Sequence, residues 1–207
     1  MKKIKVTLLG DSIRKIGYGT VVPELLGEGY EVYQPDTNGR FSKNTLRDLF
    51  DYEKDMQGTR IVHWNNGLWD TSNIFGDGCF TSEAEYVENM LRIADILLKR
   101  YGKVIFATTT PVTLQNEFNE NCDIKRYNEL IVPLLEEKGV IINDLYSIVN
   151  SDIDKYIRKD DNVHLTDVGI EICAKQVADI IRKASETLED TDDSNLYYDI
   201  DHNGAPV

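Results

Sequence analysis

The sequence predicts an α/β protein, a three-layer α/β/α sandwich around a five-stranded parallel sheet. Three observations point there. Short apolar, β-branched-rich runs recur five times along the 207 residues. Amphipathic stretches long enough for helices separate them. The resulting β-α-β-α order persists to the last helix, and that connectivity belongs to a parallel sheet covered on both faces.

Each element has a local reason. Strands are expected at residues 4–9, 31–33, 60–64, 104–108 and 140–145. A short helix over 21–26 stops at Gly27, where a residue without Cβ can turn the chain. Ser42 can cap a helix through Phe50. Ser82 caps the clearest helix, with Glu85 at the capping-box position and Val87, Leu91, Ala94, Ile96 and Leu98 expected on its buried face. Asp123 can cap the next, which runs through Lys138 to Gly139 and carries Pro133 as a point of kinking. Thr166 can cap the last, from Asp167 to about Glu186, with Ile170, Cys173, Val177, Ile180 and Ile181 on one face. One domain is expected over residues 1–187. Residues 188–207 read as an acidic tail, because Glu189, Asp190, Asp192 and Asp193 cluster while apolar residues thin out.

Charge and composition exclude several classes. A formal net charge of −13 repels nucleic acid and anionic membrane surfaces, which points to a neutral or weakly charged small substrate. No apolar run approaches the ~20 residues of a membrane span. The run from Val6 to Leu9 falls short of the ~7–15 residues of a secretory apolar region, so the chain reads as cytoplasmic. Cys79, Cys122 and Cys173 are odd in number, widely spaced and without C-x-x-C, which fits reduced thiols and no zinc site. Asp199 to Gly204 look like the first half of an EF-hand loop but lack its closing glutamate, so no metal is expected.

The chemistry sits at strand ends. Gly10-Asp11-Ser12 follows the first strand, where a sharp turn would project the Ser12 hydroxyl at the sheet's carboxyl edge; turns are rich in these residues in any case. Asp161-x-x-His164 lies in a polar loop before the last helix. An i, i+3 spacing in a turn lets Asp161 accept from His164 Nδ1 and leaves Nε2 free for a serine proton. The bland alternative is a solvated loop histidine. His63-Trp64-Asn65-Asn66-Gly67 ends the third strand and offers an amide donor to a developing oxyanion, although Asn-Gly is also a turn dipeptide. Asn38-Gly39 follows the second strand and could add a backbone N–H.

Four such pieces in this order resemble the SGNH (GDSL-type) hydrolase superfamily over about residues 4–185. Ser12 corresponds to its serine block, Gly39 to its glycine block, Asn65 to its asparagine block, and Asp161 with His164 to its D-x-x-H block. The third block departs from the usual G-x-N-D, which leaves Asn66 as the alternative to Asn65. The resemblance implies a flavodoxin-like fold and an ester hydrolase working through an acyl-enzyme. Its triad would be Ser12, His164 and Asp161, and its oxyanion donors Ser12, Gly39 and Asn65, with no metal or organic cofactor.

The loops suggest the substrate. Residues 67–81 hold Trp69, Phe75 and Phe80, with Trp64 at the root; long loops at a functional edge are often binding elements. Asp11, Arg14, Tyr18, Arg40, Asn44, Trp64, Asn66 and Trp69 are candidate substrate contacts. No wholly apolar acyl groove is evident, which favours a short acyl group, such as acetyl on a carbohydrate. The competing readings are a lysophospholipase or thioesterase of the same fold, and a non-catalytic carbohydrate-binding module. No G-x-S-x-G elbow or phosphate-binding glycine motif is present. Nothing in the sequence speaks to oligomeric state.

Overall fold

A computed structural model describes residues 3–189. Five parallel strands run β1 (Ile4–Leu9), β2 (Tyr30–Tyr33), β3 (Ile61–Asn65), β4 (Lys103–Ala107) and β5 (Ile141–Asn143), in the spatial order β2-β1-β3-β4-β5. The helices are α1 (Ser12–Lys15), α2 (Val22–Leu26), α3 (Ser42–Asp51), α4 (Glu83–Arg100), α5 (Asn121–Glu137), α6 (Leu145–Asn150), α7 (Ile153–Tyr156) and α8 (Asp167–Ser185), with a 3-10 turn at Tyr18–Thr20.

The inner strands β1, β3 and β4 are buried on both faces, and their period of two splits the core. Val6, Leu8, Ile61, Ile105 and Ala107 face a cluster with Val22, Val177 and Ile181. Leu9, Val62, Trp64, Val104 and Phe106 face the opposite cluster with Met90, Ile93 and Ile131. Ser82 accepts from Glu85 N–H and Thr166 from Gly169 N–H, so two expected caps form, each of a kind worth about 1 kcal/mol. Asp123 and Ser42 instead lie inside first turns, behind Glu120 and Phe41 as cap residues. Pro133 is accommodated within a continuous α5.

The buried face of α4 is a correction. Tyr86, Met90, Ile93, Ala94 and Leu97 point inward, whereas Val87, Leu91, Ile96 and Leu98 flank that stripe. Tyr86 donates to the Asn66 carbonyl beyond β3 and Asn89 to Ser42 Oγ of α3, contacts the apolar count had left out. Two short helices, α6 and α7, fill a stretch where no element was expected. Leu188 still packs on the first cluster. Residues 190–207, with the EF-hand-like segment at 199–204, lie outside the described residues.

The strand order positions the site. The chain leaves β1 toward β2 on one side and returns to β3 on the other. A crevice therefore opens at the carboxyl ends of β1 and β3, the switch point at which such sheets bind ligands. Among the described residues, no helix is long and apolar enough to cross a membrane.

Candidate active site

Ser12 is the first residue of α1, directly after the β1 turn. Gly10 makes that turn possible: its φ is +147°, and a Cβ there would stand 2.0 Å from Asn65 Oδ1. Asp11 caps α1, its Oδ1 accepting from Ile13 N–H at 2.9 Å. As the first helical residue, Ser12 has no preceding turn to receive its own N–H, which leaves a donor beside its hydroxyl.

The far end of the chain meets it here. His164 Nε2 lies 2.8 Å from Ser12 Oγ, and His164 Nδ1 lies 3.0 Å from Asp161 Oδ2. Asp161 Oδ1 also accepts the N–H groups of Val163 and His164, at 3.0 and 2.9 Å. Partial burial pushes the Asp161 carboxyl up, but these two amides and the imidazole outweigh it and hold the group below the usual carboxylate range. An ionised Asp161 fixes the ring with Nε2 turned to the serine. Arg158 braces the turn: its N–H donates to the His164 carbonyl at 2.8 Å, its guanidinium forks onto Asp160, and its Nε stands 3.5 Å from Asp161 Oδ2.

The two asparagines ending β3 separate by strand alternation. Asn65 points toward the β1 turn, where its Nδ2 donates to Asp11 Oδ1 at 2.8 Å and its Oδ1 accepts from Tyr18 Oη at 2.8 Å. The second Nδ2 hydrogen has no partner among the described residues. Asn66 points to the opposite side and is fully buried. Its Oδ1 accepts from Thr45 Oγ1 at 2.9 Å and its Nδ2 donates to the Arg40 carbonyl at 3.2 Å. Gly39 N–H donates to the Gly10 carbonyl at 2.9 Å, so in this arrangement it is engaged and turned away from an oxyanion. The next amide, Arg40, donates to Asn38 Oδ1.

Several expected substrate contacts are corrected. Trp64 is wholly buried and packs on Phe106 at 5.0 Å between ring centroids, because its strand position faces the second core. Asp11 and Asn66 are also fully buried and serve the turn and the Arg40 loop. Arg14 is buried too, its guanidinium donating to the carbonyls of Gly10, Pro35 and Thr37; it ties the β2 connection down and is closed to a ligand. Tyr18 is buried and orients Asn65. Arg40 and Trp69 remain near the surface, the guanidinium 5.7 Å from the indole centroid, with Phe41 edge-on to Trp69 at 5.5 Å and stacked on Phe80 at 4.6 Å.

Two residues of the site were not anticipated. Asn162 sits inside the D-x-x-H turn with φ of +63°, and Thr113 grips it from the loop after β4. The available signal was an asparagine within a tight polar turn, since its short amide tolerates positive φ. Among the described residues, no three of His, Cys, Asp and Glu cluster to hold a metal ion.

Comparison with known proteins bears on the fold. No protein-family model and no curated protein matches the chain. Solved structures do. A lipase/acylhydrolase from Enterococcus faecalis superposes with a TM-score of 0.73 at 20% identity, covering 91% of this chain and 99% of that one. An acetyl xylan esterase gives 0.71 at 24%, covering 86% and 100%. An acetylxylan esterase from Geobacillus stearothermophilus gives 0.66 at 16%, covering 87% and 94%. For the last protein, structures of catalytic mutants replace a serine and a histidine with alanine. At such identities the likeness establishes a shared fold.

Proposed function

We propose that the chain is a serine esterase of the SGNH hydrolase superfamily, acting on a short acyl ester of a carbohydrate or other small polar alcohol. One observation carries the reading: the continuous chain Ser12 Oγ···Nε2 His164 Nδ1···Oδ2 Asp161, at 2.8 and 3.0 Å, formed by residues 152 positions apart. The catalytic serine and histidine of the structurally similar acetylxylan esterase support it.

Ser12 Oγ attacks the ester carbonyl as His164 Nε2 takes its proton, and Asp161 stabilises the imidazolium. The oxyanion is held by the Ser12 N–H and the second Nδ2 hydrogen of Asn65, which Tyr18 and Asp11 pre-orient. As the tetrahedral centre collapses, its bond to the alcohol oxygen breaks and that oxygen takes the proton from Nε2. Water, deprotonated by the same nitrogen, then attacks the acyl-enzyme; the acid leaves and Ser12 regains its proton. The Ser12→Ala variant is expected to lose p-nitrophenyl acetate turnover while keeping its fold by circular dichroism. Retained turnover would reject Ser12 as nucleophile. Fluorophosphonate labelling at Ser12 separates an enzyme from a binding module.

A second reading, a long-chain acyl hydrolase, draws on exposed Ile74, Phe75, Phe80, Leu114 and Phe118. These occupy two loops joined by Asn73 N–H to the Phe118 carbonyl at 2.7 Å. A preference for p-nitrophenyl esters of about eight carbons or more, the apolar burial gained per CH₂ deciding, would favour it over acetyl.

A further inference from the structure

A cavity of about 410 Å³ opens beside the Ser12–His164 pair, between α1 and the start of α8. Its size falls within the ~300–1,000 Å³ of small-molecule sites. Its lining includes Ser12 and His164, the aliphatic Ile16 and Ile170, and the charged Arg158 and Asp167. Gly17 also lines it, and a Cβ there would meet the Ile13 carbonyl oxygen of the preceding turn at 2.2 Å. Ile16 is half exposed although it is a large aliphatic residue, so the cavity keeps an apolar surface in water. Neither Asn65 nor Gly39 lines it.

This placement has a stereochemical consequence. His164 Nε2 must hand the serine proton to the departing oxygen, so the alcohol half of an ester leaves past the imidazole. The carbonyl oxygen turns instead toward the β1 turn and Asn65. We propose that this cavity is the leaving-alcohol subsite and that it takes a sugar ring, with the C–H face on Ile16 and Ile170 and the hydroxyls toward Asp167 and Arg158. The inference rests on the serine-esterase reading and names its alcohol half. A ring with an apolar face and a hydroxylated edge matches a lining that holds both aliphatic side chains and charged groups. A plain aliphatic alcohol would use Ile16 and Ile170 but make no hydrogen bond to the exposed Asp167 carboxylate.

The test compares alcohols and acyl groups separately on the intact protein. Ile16→Trp narrows the cavity; it changes a half-exposed side chain and is read alongside Asp167→Ala. The substrates are ethyl acetate, n-hexyl acetate and a mono-acetylated methyl β-xyloside, with p-nitrophenyl acetate and butyrate as the acyl pair. Ile16→Trp is expected to lower kcat/KM on the acetylated xyloside about tenfold relative to ethyl acetate. Asp167→Ala is expected to raise KM on the xyloside more than on n-hexyl acetate. The acetate-to-butyrate ratio should hold in both variants. A shift in that ratio with no shift among alcohols would overturn the assignment and make the cavity an acyl site. No shift in either would place the cavity outside the substrate's path. A larger loss on n-hexyl acetate than on the xyloside in both variants would overturn the sugar. Fluorophosphonate labelling runs in parallel. If Ser12 of the unaltered protein fails to label, the esterase reading falls; if it labels and the ratios do not move, only the subsite falls.

Discussion

Thr113 and Asn162 are joined twice across the carboxyl edge of the sheet. Thr113 N–H donates to the Asn162 carbonyl at 3.1 Å, and Thr113 Oγ1 donates to Asn162 Oδ1 at 2.8 Å. Asn116 Nδ2 adds a third bond to the same carbonyl at 3.4 Å. Asn162 occupies the left-handed region, and it stands between Asp161 and His164, whose carboxylate and imidazole are hydrogen-bonded. The loop after β4 therefore holds the Asp161–His164 turn from outside.

Thr113→Val removes the side-chain donor and keeps the shape. It is expected to lower kcat about tenfold or more with a smaller change in KM, since displacing a reacting group by about 1 Å can cost ~10²-fold. Thr113→Ser restores the donor and should recover most of the rate. Equal KM and kcat losses in the valine variant, unrescued by serine, would assign Thr113 to substrate contact. Steady-state kinetics on p-nitrophenyl acetate reads this.

Tyr18 and Asn65 make a second dependency. If Asn65 donates to the oxyanion, Asn65→Ala should lower kcat by ~10²–10³. Tyr18→Phe leaves Nδ2 in place, still held by Asp11, but removes the donor to Oδ1. Its rate loss should be a fraction of the alanine variant's. Its stability should fall by about 1–3 kcal/mol, because a buried amide oxygen loses its partner. Urea denaturation alongside kinetics separates the two effects. An unaffected Asn65→Ala enzyme would remove that side chain from the oxyanion site.

Which parts were legible in the sequence follows from how local their causes are. Strand runs and helix caps depend on neighbours a few residues apart, so β1, the Ser82 cap and the Thr166 cap could be read directly. The meeting of Ser12, Asp161 and His164 was expected from the order of the four motifs taken together, since Gly10-Asp11-Ser12 and D-x-x-H are each ordinary turn chemistry when taken alone. Trp64 could not be placed, because one residue of register decides whether an aromatic side chain faces a core or a cleft. The same step separates Asn65 from Asn66. Arg14 read as a candidate substrate contact, yet the Gly10 carbonyl one turn back and the Pro35 and Thr37 carbonyls after β2 converge on it. That convergence is a tertiary fact with no sequence trace. Gly39 lies in the expected connection, but a single hydrogen bond to Gly10 decides what its N–H can do.

Two buried titratable groups pull stability in opposite directions with pH. Burial lowers His63 to about 3, with Asn143 Nδ2 at 3.0 Å from its Nε2. Burial raises Asp70 to about 6, against the donors of Ser42. For His63 the folded value lies below the unfolded one. Its contribution is complete above about pH 6.5 and is lost as pH falls toward 3, by about 1.4 kcal/mol per pH unit. For Asp70 the folded value lies above the unfolded one. Its contribution is complete below about pH 4 and is lost as pH rises through about 6, with a similar slope. Between pH 4 and 6 the two slopes oppose each other, and single variants should expose them. His63→Gln is expected to make the protein lose stability with rising pH more steeply than the parent over that interval. Asp70→Asn should do the reverse and tilt the profile toward higher pH. Urea midpoints at half-unit steps measure both, and parallel profiles for parent and variants would show that neither group titrates out of register with its unfolded state.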